Sequence, residues 1–320
     1  MTVAIAVALY NGERFIEEQL ESLRKQTRTP DRVVLCDDGS KDGTVAIVRE
    51  YINKYGLQDS WQLEINPENL GYIKNFYRAM SLCDTDVVFL SDQDDIWAAD
   101  KLEKMMQVME DNHEIMLLSC KGGIVDGEGQ PIHSIMHKEA KESGSVTLVS
   151  VKDIMRAYRW PGMLMCLRKE FFEAIYDSII SVPLPHDLAF AICAADKNAF
   201  YEYDYVGAYH RRHDNNTARE EHRVFKLLDL QRKLKDITET STYMGYAIDA
   251  KLPIKEESYE CIQYKLRYLN KRKECLQNRK LGELIRLYRA DKEKMFRIVA
   301  FICDAWIILF GKYNSGGKHD

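Results

Sequence analysis

The sequence predicts an α/β domain with a mostly parallel sheet and helices on both faces. Short apolar runs alternate with amphipathic segments across residues 3–120, and the connections between them are short. Such alternation specifies right-handed βαβ units. Three of the runs end in loops rich in Asp, Asn and Gly. Because the carboxyl ends of parallel strands meet at one edge of a sheet, where ligands bind, the sequence predicts an acidic crevice there.

Each predicted element has a local reason. The run from Val3 to Leu9 is small and apolar, which suits a central strand, and it lacks the basic region and cleavage site of a signal peptide. In the next segment Ile16, Leu20 and Leu23 are spaced i, i+4 and i+7, as on one helix face. Further strands are predicted at 32–36, 61–65, 87–90 and 115–119, with helices between them.

The fourth strand leads into a dense group of carboxylates. The stretch from Val87 to Trp97 places Asp92, Asp94 and Asp95 directly after four apolar residues. Carboxylates this close repel one another unless positive charge lies between them. A Mg²⁺ or Mn²⁺ ion that carries a substrate's phosphates would supply that charge. The alternative is a solvated acidic turn that caps the next helix, and these residues alone do not decide between the two.

The second half of the chain has a different character. Residues 121–145 are rich in Gly, Lys and Glu and are predicted to form an exposed excursion. A strand at 163–167 and a helix at 169–180 follow, and then His186-Asp187 opens another helix. A strand at 201–209 leads into a basic segment, after which the sequence is charged and helical. We therefore predict an α/β domain over 1–216 and a helical extension over 217–320.

Composition and charge narrow the function classes. The 320 residues carry a net charge of −5, with −12 in residues 1–218 and +7 in residues 219–320. An acidic body argues against nucleic-acid binding, and the basic tail suits an anionic surface. The eight cysteines form no C-x-x-C pair, which predicts reduced thiols in a cytosolic protein and no zinc site. No apolar run approaches the roughly 20 residues that a membrane-spanning helix needs.

Four motifs at predicted strand ends resemble, in this order, the signature of family 2 inverting glycosyltransferases with the GT-A fold. They are Ala8-Leu9-Tyr10-Asn11-Gly12, Asp37-Asp38-Gly39-Ser40-Lys41-Asp42-Gly43-Thr44, Asn69-Leu70-Gly71 and Asp92-Gln93-Asp94-Asp95. The resemblance covers about residues 1–216. The string from Ser91 to Trp97 further resembles the bacterial rhamnosyltransferase-like subgroup that builds surface polysaccharides.

The resemblance implies a nucleotide site in the first three motifs. It puts the nucleoside against the loop that holds Ala8, Tyr10 and Asn11 and against the loop that holds Asp37 and Asp38. A tyrosine at position 10 is suited to stack on the base, and an aspartate at position 38 to accept a hydrogen bond from a base N–H. The third motif brings two further residues near the nucleotide, Gly71 and Lys74. The alternative is that the aspartates are turn residues that cap the next helix.

The resemblance also implies a metal site and phosphate ligands. Asp94 is the expected direct ligand of Mg²⁺ or Mn²⁺, and Asp92 faces ribose, or the metal through water. In the segment after the last strand, His213 is expected to approach the metal, and Arg211 and Arg212 the phosphates, for which a guanidinium fork is suited. The alternative is a basic surface loop that neutralises the acidic body.

Asp187 is the candidate catalytic base, because His186-Asp187 stands where family members carry a Glu-Asp or His-Asp pair. The alternative is that Asp187 is the N-cap of the helix, a role that Asp favours. The resemblance further implies that Trp160 and Gly162, with His186, line the donor sugar and the acceptor. Core packing is the alternative for Trp160.

The resulting prediction is a metal-dependent inverting glycosyltransferase. It moves a sugar, with rhamnose as a candidate, from a nucleotide-diphosphate donor to a hydroxyl of a glycan or a lipid-linked acceptor, at the inner face of the cell membrane. A nucleotidyltransferase is a rival, but it needs a Gly-rich basic phosphate loop that residues 8–12 do not provide. A non-catalytic nucleotide- or glycan-binding protein is a second rival, and the presence of Asp94, Asp187 and His213 together argues against it.

The most apolar stretch lies near the end of the sequence, at residues 295–310. Basic residues flank it on both sides, and Trp306 lies within it. This pattern suits a helix at the interface of an anionic membrane. The alternative is a helix that docks on the catalytic domain or in a dimer interface.

Overall fold

A computed structural model describes residues 1–132, 142–212, 228–295 and 297–311. The chain divides into two compact units. Unit 1 comprises Met1–Ser150 and Arg159–Asn216, and unit 2 comprises Val151–Tyr158 and Thr217–Asp320. The short segment 151–158 therefore clusters with the C-terminal helices, although it lies within the part of the sequence that we assign to the α/β domain.

Unit 1 alternates strands and helices. Its strands are β1 Val3–Leu9, β2 Arg32–Asp37, β3 Trp61–Ile65, β4 Val87–Ser91, β5 Ile96–Trp97, β6 Leu117–Val125, β7 Val146–Leu148, β8 Met165–Arg168 and β9 Phe200–Arg211. Its helices are α1 Ile16–Arg24, α2 Thr44–Tyr55, α3 Tyr72–Ser81, α4 Lys101–Asp111, α6 Lys169–Ile179 and α7 His186–Asp196, while α5, Val151–Arg156, belongs to unit 2.

The strands form one mixed sheet in the order β3-β2-β1-β4-β8-β6-β9-β5, with β7 paired to β9. The first four pair in parallel, as the βαβ alternation predicts. The prediction of parallel pairing through residue 120 is wrong in one respect, because β8 lies between β4 and β6 and is antiparallel to both. The predicted excursion also begins later than expected, since β6 continues to Val125.

The sheet of unit 1 is covered on both faces, and the alternation of side chains along β1 explains this. Val3, Ile5, Val7 and Leu9 belong to one buried cluster with the apolar stripes of α1, α2 and α4. On the opposite face α3 packs on β1 and β2, and α6 and α7 complete that layer. The GT-A-like α/β architecture predicted from the sequence is confirmed.

Unit 2 is helical, as predicted for the C-terminal part. Besides α5 it contains α8 Leu230–Asp249, α9 Glu256–Gln277, α10 Leu281–Ala290 and α11 Ile298–Phe310. In the part of the chain that the structure describes, no helix combines the length and the apolar character needed to cross a membrane. All eight cysteines lie in described segments, and each is a free thiol.

Candidate active site

The carboxyl ends of β1, β2 and β4 form one edge of the sheet, and the polar loops that follow these strands begin there. The parallel register pairs Leu9 of β1 with Asp37 of β2, and Val7 of β1 with Ser91 of β4. Ala8, half-buried, lies between these two positions. The predicted convergence of the acidic loops at one sheet edge is therefore what the register produces.

Side chains from the neighbouring loops fix the loop after β1. The Gln93 amide forms two hydrogen bonds with the Tyr10 backbone, accepting from its N–H at 2.8 Å and donating to its carbonyl at 2.9 Å. Gly12 lies against this amide, and a Cβ there would collide with it. Asn11 adopts φ 48° and accepts a hydrogen bond from Lys41 N–H at 2.8 Å. The Tyr10 side chain remains 48% exposed, so its ring is accessible to a ligand.

Asp37 and Asp38 hold their own loops in place. The Asp37 carboxylate accepts from both the backbone N–H and the hydroxyl of Ser40. Asp38 is 3% exposed and accepts from Gly71 N–H at 2.9 Å, which ties the loop after β3 to the loop after β2. Both carboxylates are engaged within the protein, which favours turn roles for them. Neither caps α2, because Gly43 occupies that position.

The start of α3 adds one exposed cation and one buried amide. Lys74 is exposed, and no ion pair to it occurs among the described residues. Asn75 is buried and donates to the Cys36 carbonyl at 2.9 Å. Its Oδ1 accepts from the Asn66 amide at 2.8 Å. Asn75 thus satisfies backbone and side-chain groups where β2 ends at the crevice.

The acidic turn, residues 92–95, concentrates negative charge at the end of β4. Asp92 and Asp94 are half-buried, and Asp95 is completely buried. Burial raises the pKa of Asp92 well above its usual value, and the charges of Asp95, Asp94 and the distant Asp187 raise it further. Leu90, near the end of β4, and His186, the residue before Asp187, both lie against Gly162, so the fold brings the start of α7 beside the acidic turn.

His210 is a site residue that the sequence analysis missed. Antiparallel pairing of Ile96 with Tyr209 places the end of β9 beside the acidic turn. His210 Nδ1 then lies 3.1 Å from Asp95 Oδ1, while Asp95 Oδ2 is buried without a hydrogen-bond partner in the described chain. Burial lowers the pKa of His210, but the hydrogen bond and charge of Asp95 outweigh it and raise the pKa overall. His210 was missed in the sequence analysis because β5, whose pairing with β9 brings the histidine to Asp95, is only two residues long.

A buried lysine lies on the inner side of the same turn. Lys101 is fully buried, donates from Nζ to the Met163 carbonyl at 2.6 Å, and lies 3.4 Å from the centre of the Trp97 ring. Burial lowers its pKa to about 8, and the charges of Asp95 and Asp92 act in the opposite direction. The lysine therefore balances part of the acidic charge from within the core.

Arg211 differs from its expected role. Its side chain is 1% exposed, and its guanidinium donates to the Asp94 carbonyl at 3.1 Å, the Gly127 carbonyl at 2.9 Å and the Glu18 carboxylate at 2.5 Å. These contacts correct the expectation that it binds phosphates, because the planar fork is already used within the protein. The geometry instead favours Arg211 as the residue that fixes the backbone of the acidic turn.

Its neighbour is a better candidate for an anionic ligand. Arg212 is half-buried, and its Nε is buried without a hydrogen-bond partner in the described segments. A buried guanidinium nitrogen with no acceptor is costly, and a phosphate oxygen would satisfy it. His213, the expected metal ligand, lies outside the described residues.

Asp187 lies in the first turn of α7. The helix begins at His186 and Pro185 precedes it as the N-cap, so Asp187 is not the N-cap residue. Its Oδ1 accepts from Leu188 N–H at 2.8 Å, and the side chain is half-buried. Asp187 therefore stands as an oriented carboxylate at the start of α7, directly after the residue that adjoins Gly162.

The three residues expected around the sugars separate into two groups. A Cβ on Gly162 would lie 2.7 Å from Nε2 of His186, so these two residues adjoin. His186 is buried, its ring is 4.3 Å from that of Phe76, and burial lowers its pKa. Trp160 is buried and donates its indole N–H to Glu202 at 2.5 Å. These contacts favour core packing for Trp160.

The acidic turn suits a cation that arrives with a substrate. Within the described ranges, no three His, Cys, Asp or Glu side chains are arranged to hold a metal ion. Mg²⁺ and Mn²⁺ need only one or two protein carboxylates when phosphates and water complete the coordination. Asp92 and Asp94 supply such a pair, and the neighbouring charges of Asp95 and Asp94 add to burial in raising the pKa of Asp92. The residues therefore fit a metal held jointly with a diphosphate.

The α/β fold, with its polar crevice at the carboxyl edge of the sheet, is of the GT-A type. Residues 4–170 match the family described as Glycosyl transferase family 2. The chain therefore belongs to glycosyl transferase family 2.

Similar proteins agree with this assignment. The chain is 34% identical over 157 residues to the poly(ribitol-phosphate) β-N-acetylglucosaminyltransferase TarS of Staphylococcus aureus. The aligned region covers 48% of this chain and 26% of TarS. It is 36% identical over 110 residues to the dTDP-rhamnosyl transferase RfbG of Shigella flexneri, covering 33% and 38% of the two chains. The chain thus spans well under half the length of these two relatives.

Two solved structures share the fold. The structure of S. aureus TarS 1–349 in complex with UDP-GlcNAc matches with a TM-score of 0.59 and 19% identity, over 92% of this chain and 83% of that one. The mannosyltransferase PcManGT from Pyrobaculum calidifontis, in complex with GDP-Man and Mn²⁺, matches with a TM-score of 0.57 and 16% identity, over 97% and 88%.

The Asp95–His210 contact gives a first prediction. In place of His210, an asparagine amide can occupy the position of Nδ1 and keep the contact with Asp95. A glutamine amide extends further, to the position of Nε2, and loses that contact. We expect His210→Asn to keep Mn²⁺-dependent nucleotide binding and His210→Gln to weaken it about 10-fold or more, the worth of a charge-assisted hydrogen bond. Calorimetry of a nucleoside diphosphate with Mn²⁺ measures both variants. Equal losses of affinity in the two variants would show that nucleotide binding does not depend on the contact of His210 with Asp95.

Proposed function

We propose that this chain transfers a sugar from a nucleoside diphosphate donor to an acceptor hydroxyl, with inversion at the sugar carbon. The observation that carries the proposal is that Gly162 lies against both His186, the residue before Asp187, and Leu90, which lies two positions before Asp92, so that the start of α7 lies beside the acidic turn. An inverting transfer needs a base for the acceptor and a centre of charge for the leaving diphosphate in one crevice. Family membership supports the same reaction class.

In this proposal Asp187 is the catalytic base. Its carboxylate takes the proton of the acceptor hydroxyl while the hydroxyl oxygen bonds to the sugar carbon. The bond from that carbon to the diphosphate breaks, and the diphosphate leaves with the electron pair. The hydrogen bond from Leu188 N–H orients the carboxylate, and one oxygen remains for the acceptor.

We propose Mg²⁺ or Mn²⁺ as the cofactor. Asp94 would be its direct ligand, Asp92 would face it through water or face the ribose, and His213, which lies outside the described residues, is the further candidate ligand. When bound, the metal acts as a Lewis acid that stabilises the charge of the leaving diphosphate. The protein's own contribution is to hold the acidic turn still. Arg211 and the Asp95–His210 contact do this through a backbone carbonyl and a buried carboxylate.

The nucleotide is proposed to lie along the sheet edge. The exposed Tyr10 ring stacks on the base, with Ala8 and Asn11 in the same loop. Exposed Lys74 is suited to a phosphate or ribose oxygen at the start of α3. Asp37, Asp38 and Gly71 are assigned to positioning, since they bond to one another or within their own loop.

The remaining site residues are assigned by the same criterion. Arg212 is proposed to contact the diphosphate, because its buried Nε has no acceptor in the described chain. His186 and Gly162 are proposed to line the sugar, since they adjoin beside Asp187. Trp160 is proposed to support that region from the core through its hydrogen bond to Glu202.

The donor and acceptor are proposed from the relatives. One relative is named a dTDP-rhamnosyl transferase and another was solved with UDP-GlcNAc, so a pyrimidine nucleoside diphosphate sugar is proposed, with rhamnose as the first sugar to test. The acceptor is proposed to be a hydroxyl of a growing surface glycan, carried on a lipid at the inner face of the cell membrane. Residues 1–216 are proposed as the catalytic domain and 217–320 as an extension that brings it to that membrane.

A screen of sugar nucleotides by thermal shift with Mn²⁺ tests the donor, and hydrolysis of the best ligand with and without Mn²⁺ tests the reaction. We expect slow, metal-dependent release of the nucleoside diphosphate. Binding without any turnover, even with glycan acceptors present, would identify a nucleotide- or glycan-binding protein. Synthesis of the sugar nucleotide from a sugar phosphate and a nucleoside triphosphate would identify a nucleotidyltransferase.

A further inference from the structure

Helix α11 has an apolar face that no described residue covers. Ile298, Ile302, Trp306 and Leu309 are spaced i, i+4, i+8 and i+11, and they are 59%, 58%, 41% and 56% exposed. Phe310, on the same side, is 66% exposed. These positions fall within one arc of a helix with 3.6 residues per turn. A contiguous apolar surface of this kind marks an interaction site more often than chance exposure.

The opposite side of α11 shows that this orientation is built into the unit. Asp304 is completely buried and receives hydrogen bonds from Arg272 of α9 at 2.6 and 3.0 Å. Ile307 and Ile308 are buried on the same side. A buried carboxylate that lost its arginine would be strongly destabilising, so the ion pair fixes which side faces inward. The apolar residues are therefore turned outward by the fold of unit 2 itself.

A group of exposed cations precedes this helix directly. None of them has an ion-pair partner in the described chain, and the nearby Glu293 is paired with Lys152. The cations are Arg286, Arg289, Lys292, Lys294 and Arg297. Unpaired basic residues beside an apolar helix face complement a surface that is both anionic and apolar, which is the character of an anionic lipid interface.

We propose that the exposed face of α11 docks in the plane of an anionic lipid bilayer, with the basic group on the headgroups. This inference rests on the proposed function, since docking on the bilayer would bring the enzyme to a lipid-carried acceptor. A second copy of the chain fits less well, because contact with another copy of the apolar face supplies no anionic partner for the basic group. Trp306 suits the boundary, where its ring is apolar and its N–H meets water.

Vesicle sedimentation of the full chain tests the apolar face. The probes are phosphatidylcholine vesicles with and without phosphatidylglycerol. We expect binding only to the anionic vesicles, and we expect the double variant Ile302→Ser/Leu309→Ser to bind at least about 100-fold more weakly, because two large apolar side chains no longer enter the interface. The matched control, Leu82→Ser/Leu148→Ser, replaces exposed leucines of unit 1 and should bind as the parent does.

A charge variant tests the basic group independently, in case the first variant folds poorly. Lys292→Gln/Lys294→Gln should weaken binding to anionic vesicles about 30-fold, from the usual worth of two lysines near such a surface. Its control is Lys54→Gln/Lys197→Gln. The proposal would be overturned if both test variants bound vesicles as the parent does. It would also be overturned if Ile302→Ser/Leu309→Ser turned an oligomer into a monomer but still bound vesicles, since the apolar face would then be a contact between copies of the chain.

Hydrolysis of the sugar nucleotide, measured on the same proteins in solution, separates this inference from the proposed function. Parent-like hydrolysis with lost vesicle binding supports the docking face. Absence of hydrolysis in the parent would instead count against the proposed transferase and would leave the vesicle result to be judged alone.

Discussion

Replacement of Asp187 by asparagine is expected to lower turnover about 10²–10⁴-fold, which is the usual worth of a positioned general base. The affinity for the donor should stay nearly unchanged. Asparagine keeps the size of the side chain and can still accept the hydrogen bond from Leu188 N–H, so the start of α7 is preserved. What is lost is the ability to accept the acceptor's proton. Turnover with acceptor and donor affinity by calorimetry measure the two effects separately.

The control for this variant is Asp177→Asn, which changes an exposed aspartate on the neighbouring helix α6. It should behave as the parent in both measurements. Activity of Asp187→Asn within a few-fold of the parent would place the base elsewhere. Equal loss of turnover and donor affinity would mean that Asp187 holds the donor and does not act on the acceptor.

The sheet edge could be predicted because it depends on local patterns. Apolar runs that end in Asp, Asn and Gly mark strands and loops, and the parallel arrangement of β1, β2 and β4 brings the loop ends together. The place of β8 could not be predicted in this way. Its apolar sequence marks a strand, but nothing in that sequence specifies an antiparallel position between β4 and β6. Long-range pairing is decided by the packing of the whole unit.

Within the site, the sequence indicates which residues are near the crevice but not where their polar atoms point. Asp38 and Arg211 both lie at the predicted edge, yet the carboxylate and the guanidinium face protein partners. His210 is adjacent to the predicted basic segment and was missed, because its partner Asp95 is reached only through the pairing of β5 with β9. Such contacts depend on loop geometry that no short motif encodes.

The C-terminal helix illustrates the same limit. Hydropathy marks residues 295–310 as apolar, but it does not indicate which residues face outward. The single carboxylate decides this, since Asp304 must be buried against Arg272 to be satisfied. Ile302 and Trp306 are consequently exposed, while the opposite side of α11 packs on α9 within unit 2.

Replacement of Asp94 by asparagine is expected to abolish the metal-dependent part of donor binding. An amide oxygen carries no net charge and is a much poorer ligand for Mg²⁺ or Mn²⁺ than a carboxylate. The backbone of the acidic turn should persist, because Arg211 holds the Asp94 carbonyl and not its side chain. Calorimetry of the nucleoside diphosphate with and without Mn²⁺ should therefore give two equal affinities in the variant and a clear difference in the parent.

Two further variants make this result specific. Asp111→Asn changes an aspartate at the end of α4 and should keep the full Mn²⁺ effect. Asp95→Asn changes the buried partner of His210, and its amide can still accept the hydrogen bond, so we expect a partial loss only. If Asp94→Asn kept the parent's Mn²⁺ dependence, the cation would have to be bound elsewhere, and the raised pKa of Asp92 would reflect burial and repulsion at a turn that binds no metal. Only replacement of the carboxylate closest to the metal should make the affinities with and without Mn²⁺ equal.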